Sequence, residues 1–341
     1  MADGFEQLKR DLKLKSPGCF YIFHGEEAYL RSVYLQRLKD QILDELTQDF
    51  NFHRFTAENV DPQALLDAVE ALPMMAQRSM VQIDDVDFFA QNEDNRTKYA
   101  SIFGDLPDYC TVVLVYETVS FKPDKRKKAL AQALERASVV EFTKPTEREL
   151  IQWIGRHFKA RQKAISVDLC QYLIQITGGL MTSLLPEIEK VASFAPGDTV
   201  TRADVDAVVE PVLEAVAFEI SDAITQRRHE QALVKLRVLL QKQEEPIMIL
   251  GAIGSQMRRL LTARRLQAAG KNARDLMSLC GIPSFPANKL MDAARRLSDR
   301  FCERAVLLCL AADEQLKTSY DDPDRILELL VLELAQEAAR G

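Results

Sequence analysis

Through residue 143 the chain alternates short apolar runs with stretches whose apolar positions recur every three or four residues. CFYIF (19–23) is the kind of short aliphatic and aromatic run that forms a buried strand. Tyr29, Leu30, Val33, Leu38 and Ile42 follow near a 3.6-residue period and predict a helix. NFHRF (51–55) alternates as a strand does. Asp61-Pro62 then supplies an N-cap and a first-turn proline for a helix whose Leu65, Val69 and Leu72 share one face. SMVQID (79–84), TVVLVYE (111–117) and SVVEF (138–142) add strands separated by further helical stretches. This alternation predicts an α/β domain with a largely parallel sheet covered on both faces.

After Phe142 the strand signal stops. Thr146 with Glu149 forms a capping box ahead of a helix carrying Leu150, Ile151, Trp153, Ile154 and Phe158. A second helix centres on 169–176 and ends at Gly178-Gly179, and Thr201 with Asp204 opens another that Pro211 ends or bends. Leu233, Leu236 and Leu240 share a face, as do Leu250, Ile253, Met257 and Leu260, and 301–316 and 324–338 read as two more long helices. The pattern predicts three domains: α/β over 1–143, a small all-α domain over 144–211 and a larger all-α domain over 212–341.

Composition narrows the class. Of 341 residues, 47% are hydrophobic and 28% charged, with a net charge of −7, which suits two or three domains with ordinary cores. The best apolar run, 305–312, falls far short of the ~18 residues that span a bilayer. The opening MADGFEQLKRD lacks the apolar core of a secretory signal. The six cysteines sit in apolar surroundings without a Cys-x-x-Cys pair, and the four histidines are distant from them. Reduced core thiols, rather than zinc or disulfides, fit that distribution and a cytoplasmic location.

The loop after the first strand is where an α/β sheet would bind a ligand. Gly25 to Ser32 (GEEAYLRS) matches the phosphate-loop pattern only at its first glycine and final serine. Leu30 stands for the second glycine and Arg31 for the lysine. Glu26 and Glu27 put carboxylates where a triphosphate would lie, so this loop is not expected to hold ATP. Asp84-Asp85 ends the third strand where a nucleotide hydrolase keeps its magnesium carboxylates; without a phosphate loop it reads as a solvated strand end. His24 and His157 read as structural. No catalytic residue, cofactor or metal site is expected.

Two features remain. Pro73 should stop the preceding helix and put Met74 and Met75 in a turn, where they either pack into the core beside Leu72 or form an adaptable apolar surface. Charge is uneven: residues 258–300 carry ten basic and three acidic residues, while Lys125-Arg126-Lys127-Lys128 concentrates cations at a loop–helix junction. Such patches either track nucleic-acid phosphates or form solvated helix faces, and the longer one could also pair with acidic partner subunits.

Several segments resemble one family nearly end to end: YIFHGEEAYLRS, LPMMAQRSMVQID, VVLVYETVSFKPDKRKKALAQAL, Pro186-Glu187-Ile188-Glu189-Lys190, and 289–332 with ARRLSDR and ADEQLKTSYDDPDRILELL. The family is the delta subunit of the bacterial DNA polymerase III clamp loader. The resemblance implies a RecA-like AAA+ domain without a working phosphate loop, then a helical lid and a helical oligomerisation collar. It implies a non-hydrolysing subunit that grips and opens the sliding clamp through an apolar pair before the third strand. The matching positions are Met74 and Met75, flanked by Leu72 and Pro73; family members commonly carry Phe where Met75 stands. The implied partners are the clamp (beta subunit), the delta prime and gamma/tau ATPase subunits, and primed DNA, with Lys125, Arg126, Lys127 and Lys128 as candidate DNA contacts and no membrane. The alternatives are an ATP-hydrolysing AAA+ protein with a divergent phosphate loop, or a stand-alone nucleic-acid-binding protein.

Overall fold

The computed structural model describes residues 4–340, which fall into two compact units divided between 144 and 145. The first unit runs α1 (Gly4–Leu14), β1 (Phe20–His24), α2 (Ala28–Ile42), α3 (Gln48–Asn51), β2 (Phe52–Thr56), α4 (Pro62–Glu70), β3 (Ser79–Asp84), α5 (Glu93–Gly104), β4 (Cys110–Val115), α6 (Lys128–Leu134) and β5 (Ser138–Glu141). The strands form one parallel sheet in the order β2-β3-β4-β1-β5, with Ile22 opposite Leu114 and Val139. This is the α/β architecture that the alternation predicts.

Strand alternation sorts the core into two layers. Phe20, Ile22, Val81, Ile83, Val112 and Leu114 pack on one face with Leu65 and Val69 of α4, Tyr99 and Phe103 of α5, and Leu130 of α6. Tyr21, Phe23, Met80, Val113, Val115 and Val140 face the other way, onto Leu8 of α1 and Leu38 and Ile42 of α2. The burial of Leu8 gives α1 its place against the sheet.

Among its described residues the second unit has helices joined by turns and one isolated bridge, between Ala164 and Thr199. Its helices are α7 (Glu147–Ala160), α8 (Val167–Thr177), α9 (Met181–Phe194), α10 (Arg202–Val208), α11 (Leu213–Thr225), α12 (His229–Gln241), α13 (Pro246–Ala268), α14 (Ala273–Cys280), α15 (Ser284–Arg296), α16 (Asp299–Thr318) and α17 (Pro323–Arg340). Both expected capping boxes form, Thr146 with Glu149 and Thr201 with Asp204, and Gly178 ends α8 at φ +82°. One core runs through α11–α17, including Leu236, Ile253, Met257, Leu260, Phe301 and Leu327.

The two expected helical domains lie within this one unit. Helix α8 packs against α11 and α15. The Val212 N–H donates to the Ile176 carbonyl (2.9 Å). Ser284 donates its backbone N–H and its hydroxyl to the Glu147 carboxylate (2.8 and 2.7 Å). Packing and hydrogen bonds therefore run across residues 211/212.

Candidate functional site

In a parallel sheet all strands point one way, so the first unit has two chemically distinct edges. At the C-terminal edge, Gly25 leaves β1 with φ +120°, and a Cβ there would lie 2.5 Å from the Phe142 carbonyl oxygen. Only glycine fits this turn. Glu27 is buried and caps α2, its Oε1 accepting from the Tyr29 N–H (3.3 Å). A carboxylate thus occupies the helix N-terminus that a phosphate loop offers to an anion. Glu26 turns away to an exposed ion pair with Lys144 (3.0 Å), so only one of the two expected carboxylates stands at the helix end.

Arg31, where a phosphate loop has lysine, is 4% exposed. Its guanidinium donates to the Gly25 carbonyl (2.8 Å) and lies 3.4 Å from the Glu117 carboxylate. The cation is committed to the loop's own backbone. His24 beside it packs on Phe121, and burial holds its pKa below the ordinary value. His157 in the second unit lies against Trp153, with burial and then Arg161 and Arg156 lowering its pKa.

Asp84 and Asp85 are partly exposed at the end of β3, and both carboxylates have partners within the fold. Asp84 accepts from Arg54 Nε (2.6 Å) and Gln82 Nε2 (2.7 Å). Asp85, at φ +53°, accepts from the N–H groups of Glu117 (2.7 Å), Thr118 (3.0 Å) and Val119 (3.2 Å) and from the Thr118 hydroxyl (2.9 Å). Burial pushes its pKa up, but these donors outweigh it and hold the carboxyl below its ordinary 3.8. A depressed folded pKa contributes stability above the unfolded value and loses it as pH falls through the folded one. Asp85→Ala should therefore lower stability by about 1–2 kcal/mol at pH 7. Urea unfolding should show this difference shrinking as pH drops below 3.8. Among the described residues, no three His, Cys, Asp or Glu side chains could hold a metal ion together.

The opposite, N-terminal edge carries the methionines. Helix α4 ends at Glu70, where Ala71 turns out of the helical region (ψ 123°), and Pro73 keeps the helix from resuming. The chain then crosses residues 71–78 to β3 without regular structure. Leu72 is 76% exposed, Met74 55% and Met75 94%. Leu72 thus does not continue the buried face of Leu65 and Val69, as its spacing suggests; it joins the methionines in an outward-facing apolar tip around half-buried Pro73.

The tip's backbone is pinned at three places. The Tyr109 hydroxyl donates to the Glu70 carbonyl (3.0 Å). The Met74 N–H donates to Asn51 Oδ1 (2.7 Å), and Asn51 Nδ2 donates back to the Met74 carbonyl (2.9 Å). Arg78 donates to the Pro17 carbonyl (2.7 Å) and to the Thr111 hydroxyl (3.1 Å), so its charge turns inward to the start of β1 and β4. Met75 takes φ +53°, a left-handed conformation that costs a non-glycine residue of order 1 kcal/mol. Large apolar side chains are offered to solvent from a backbone with little freedom to withdraw them.

Comparison with known proteins decides the family. A family model described as "DNA polymerase III, delta subunit" matches residues 21–143, and one described as "DNA polymerase III delta subunit, C-terminal domain" matches 214–334, together more than half of the chain. The Bacillus subtilis DNA polymerase III subunit delta is 28% identical over 322 residues, covering 92% of each chain. A probable DNA polymerase III subunit delta of Aquifex aeolicus is 22% identical, covering 94% of this chain and 93% of that protein. The solved Bacillus subtilis DNA clamp loader delta protein superposes with a TM-score of 0.61 at 26% identity, covering 97% and 99% of the two chains. The chain belongs to the DNA polymerase III delta subunit family.

For a delta-family chain the basic clusters have a structural setting. Lys125 and Lys128 are exposed and Lys127 half-buried at the start of α6, on the C-terminal side of the sheet and away from the methionine tip. Arg126 is exposed and paired with Asp124 (3.0 Å), which reduces the charge it offers. In the second unit Arg264 and Arg265 of α13 pair with Asp299 and Glu303 of α16, and Arg295 pairs with Asp292. The positive stretch thus also staples helices of its own unit. Burial raises the thiol pKa values of Cys110, Cys170 and Cys302 to about 11 and that of Cys309 to about 12. Cys19 and Cys280 are half-buried, and all six thiols are free.

Proposed function

We propose that this clamp-loader delta subunit binds the sliding clamp through Leu72, Pro73, Met74 and Met75 and favours a ring with one interface opened. The observation that carries this reading is the pinned, outward-facing apolar tip at the N-terminal edge of the sheet. Full burial of one methionine is worth roughly 1.5–3 kcal/mol before entropy costs, so two buried in an apolar pocket make a binding hot spot. Rigid backbone anchors reduce the ordering penalty on docking. The tip opens a ring only to the extent that it binds the opened form more tightly than the closed one.

In this reading residues 144–211 act as the lid and 212–341 as the collar that joins the delta prime and gamma/tau subunits. Lys125, Arg126, Lys127 and Lys128 face primed DNA in the assembled complex, and the chain works in the cytoplasm. No helix among the described residues is long and apolar enough to cross a membrane, which accords with that setting. ATP is handled by the partners. Glu27 at the N-terminus of α2 and Arg31 folded onto Gly25 count against an ATPase with a divergent loop.

Capture on immobilised clamp from the same organism tests the reading directly: binding is expected, and its absence would refute the reading. Calorimetric titration of the isolated chain with ATP and magnesium should give no heat of binding. A micromolar dissociation constant would return the ATPase alternative.

A further inference from the structure

Asn51 is the last residue of α3 and belongs to no part of the tip segment, yet it is 1% exposed and spends its side-chain amide on it. Its Oδ1 accepts from the Met74 N–H (2.7 Å), while Nδ2 donates to the carbonyls of Met74 (2.9 Å) and Thr47 (3.1 Å). The amide therefore meets Met74 as a neighbouring strand would, satisfying both of its backbone polar groups at once. The orientation of the amide is dictated by Met74, which offers a donor at one atom and an acceptor at the other. The very next residue is Met75, held at φ +53°, where a methionine stays only if its surroundings impose it.

We infer that Asn51 is the positioning residue of the clamp-binding tip, acting on the clamp only through the backbone of Met74. The inference rests on the reading of the tip given above. The tip's remaining anchors lie at its two ends, Tyr109 on Glu70 and Arg78 on Pro17. Without Asn51 the residues between them lose their central tie, and Met75 loses the constraint that holds it left-handed. Every contact with the clamp remains chemically available, but the segment must be ordered at the moment of binding, and affinity falls by that ordering cost.

The test is a double-mutant cycle on the full chain, reading affinity for immobilised clamp from the same organism. Asn51→Ala removes both bonds to Met74. Asn51→Asp has nearly the same volume and keeps the acceptor for the Met74 N–H, but sets a carboxylate oxygen against the Met74 carbonyl. Each substitution should weaken clamp binding about tenfold with the native tip. Each should weaken it clearly less in a Met74→Ala/Met75→Ala background. Hydrogen exchange at the Met74 amide should quicken at least tenfold in Asn51→Ala, and melting temperatures report whether each variant is folded. If Asn51→Ala does not fold, the Asn51→Asp cycle decides. Equal losses in both backgrounds would assign Asn51 to the general fold and overturn the inference, as would undiminished binding with the native tip. A methionine double variant that binds the clamp like the parent would remove the site itself, and the positioning role with it.

Discussion

Met74→Ala/Met75→Ala is expected to weaken clamp binding by at least ~2 kcal/mol, about thirtyfold, while leaving the melting temperature nearly unchanged. Both side chains project from the tip, Met75 at 94% exposure, and neither belongs to the two core layers of the sheet. Truncating exposed side chains costs a fold little, typically within half a kcal/mol. Docking into an apolar pocket would remove both thioethers from water, and methionine adapts to such a pocket through its unbranched, polarizable chain. The opposite outcome has an equally definite form. Had these methionines been core residues, their loss would lower stability by roughly 2–5 kcal/mol each and leave clamp affinity intact. Thermal melting and surface plasmon resonance on the same double variant separate the two. The Asn51, Tyr109 and Arg78 anchors lie on the backbone or outside the tip, so the alanines leave them in place.

Much of this architecture is legible in the sequence because it rests on short-range rules. The strand SMVQID coincides with β3, and the other four strands fall within one residue of their expected starts. Strand period and apolar runs depend only on which face each residue buries. The Asp61 cap is equally local: its carboxylate accepts from the N–H groups of Gln63 (3.0 Å) and Ala64 (3.2 Å), two and three residues on. Leu72 shows where periodicity misleads. Its spacing continues the face of Leu65 and Val69, but the helix ends at Glu70 and the turn at Ala71 carries the Leu72 side chain to solvent.

The anchors of the tip are not legible, for a physical reason. Asn51 and Met74 are 23 residues apart, and Arg78 reaches a carbonyl 61 residues back. These pairs meet only because β1, β2, β3 and β4 lie side by side and present their starts at one edge. Nothing in NFHRF distinguishes an asparagine that opens a strand from one that closes a helical turn and ties down a loop. Likewise, the arginine at 31 reads as a substitute for a phosphate-loop lysine, and only the fold reveals that it is bonded back to Gly25.

Removing residues 145–341 should abolish assembly with the other loader subunits while preserving clamp binding. All five strands, both core layers and each anchor of the methionine tip lie within residues 1–144, so the first unit keeps what the tip requires. The second unit carries large apolar side chains in solvent at helical spacing: Val234 and Val238 on α12, Leu307 and Leu310 on α16, Leu329 and Leu332 on α17. Pairs three or four residues apart share a helix face. Apolar residues repeated on such faces suit burial against further helices, the role a collar requires. Cutting at 144/145 is cleaner than cutting at 211/212, which would strip α8 of its packing on α11 and α15 and break the Glu147–Ser284 bonds. Reconstitution with the purified partner subunits, followed by gel filtration, reads assembly; capture on immobilised clamp reads the tip. A truncated chain that still co-elutes with the complex would move the assembly surface into the first unit. One that is folded but no longer binds the clamp would show that the tip needs the helical unit for its grip.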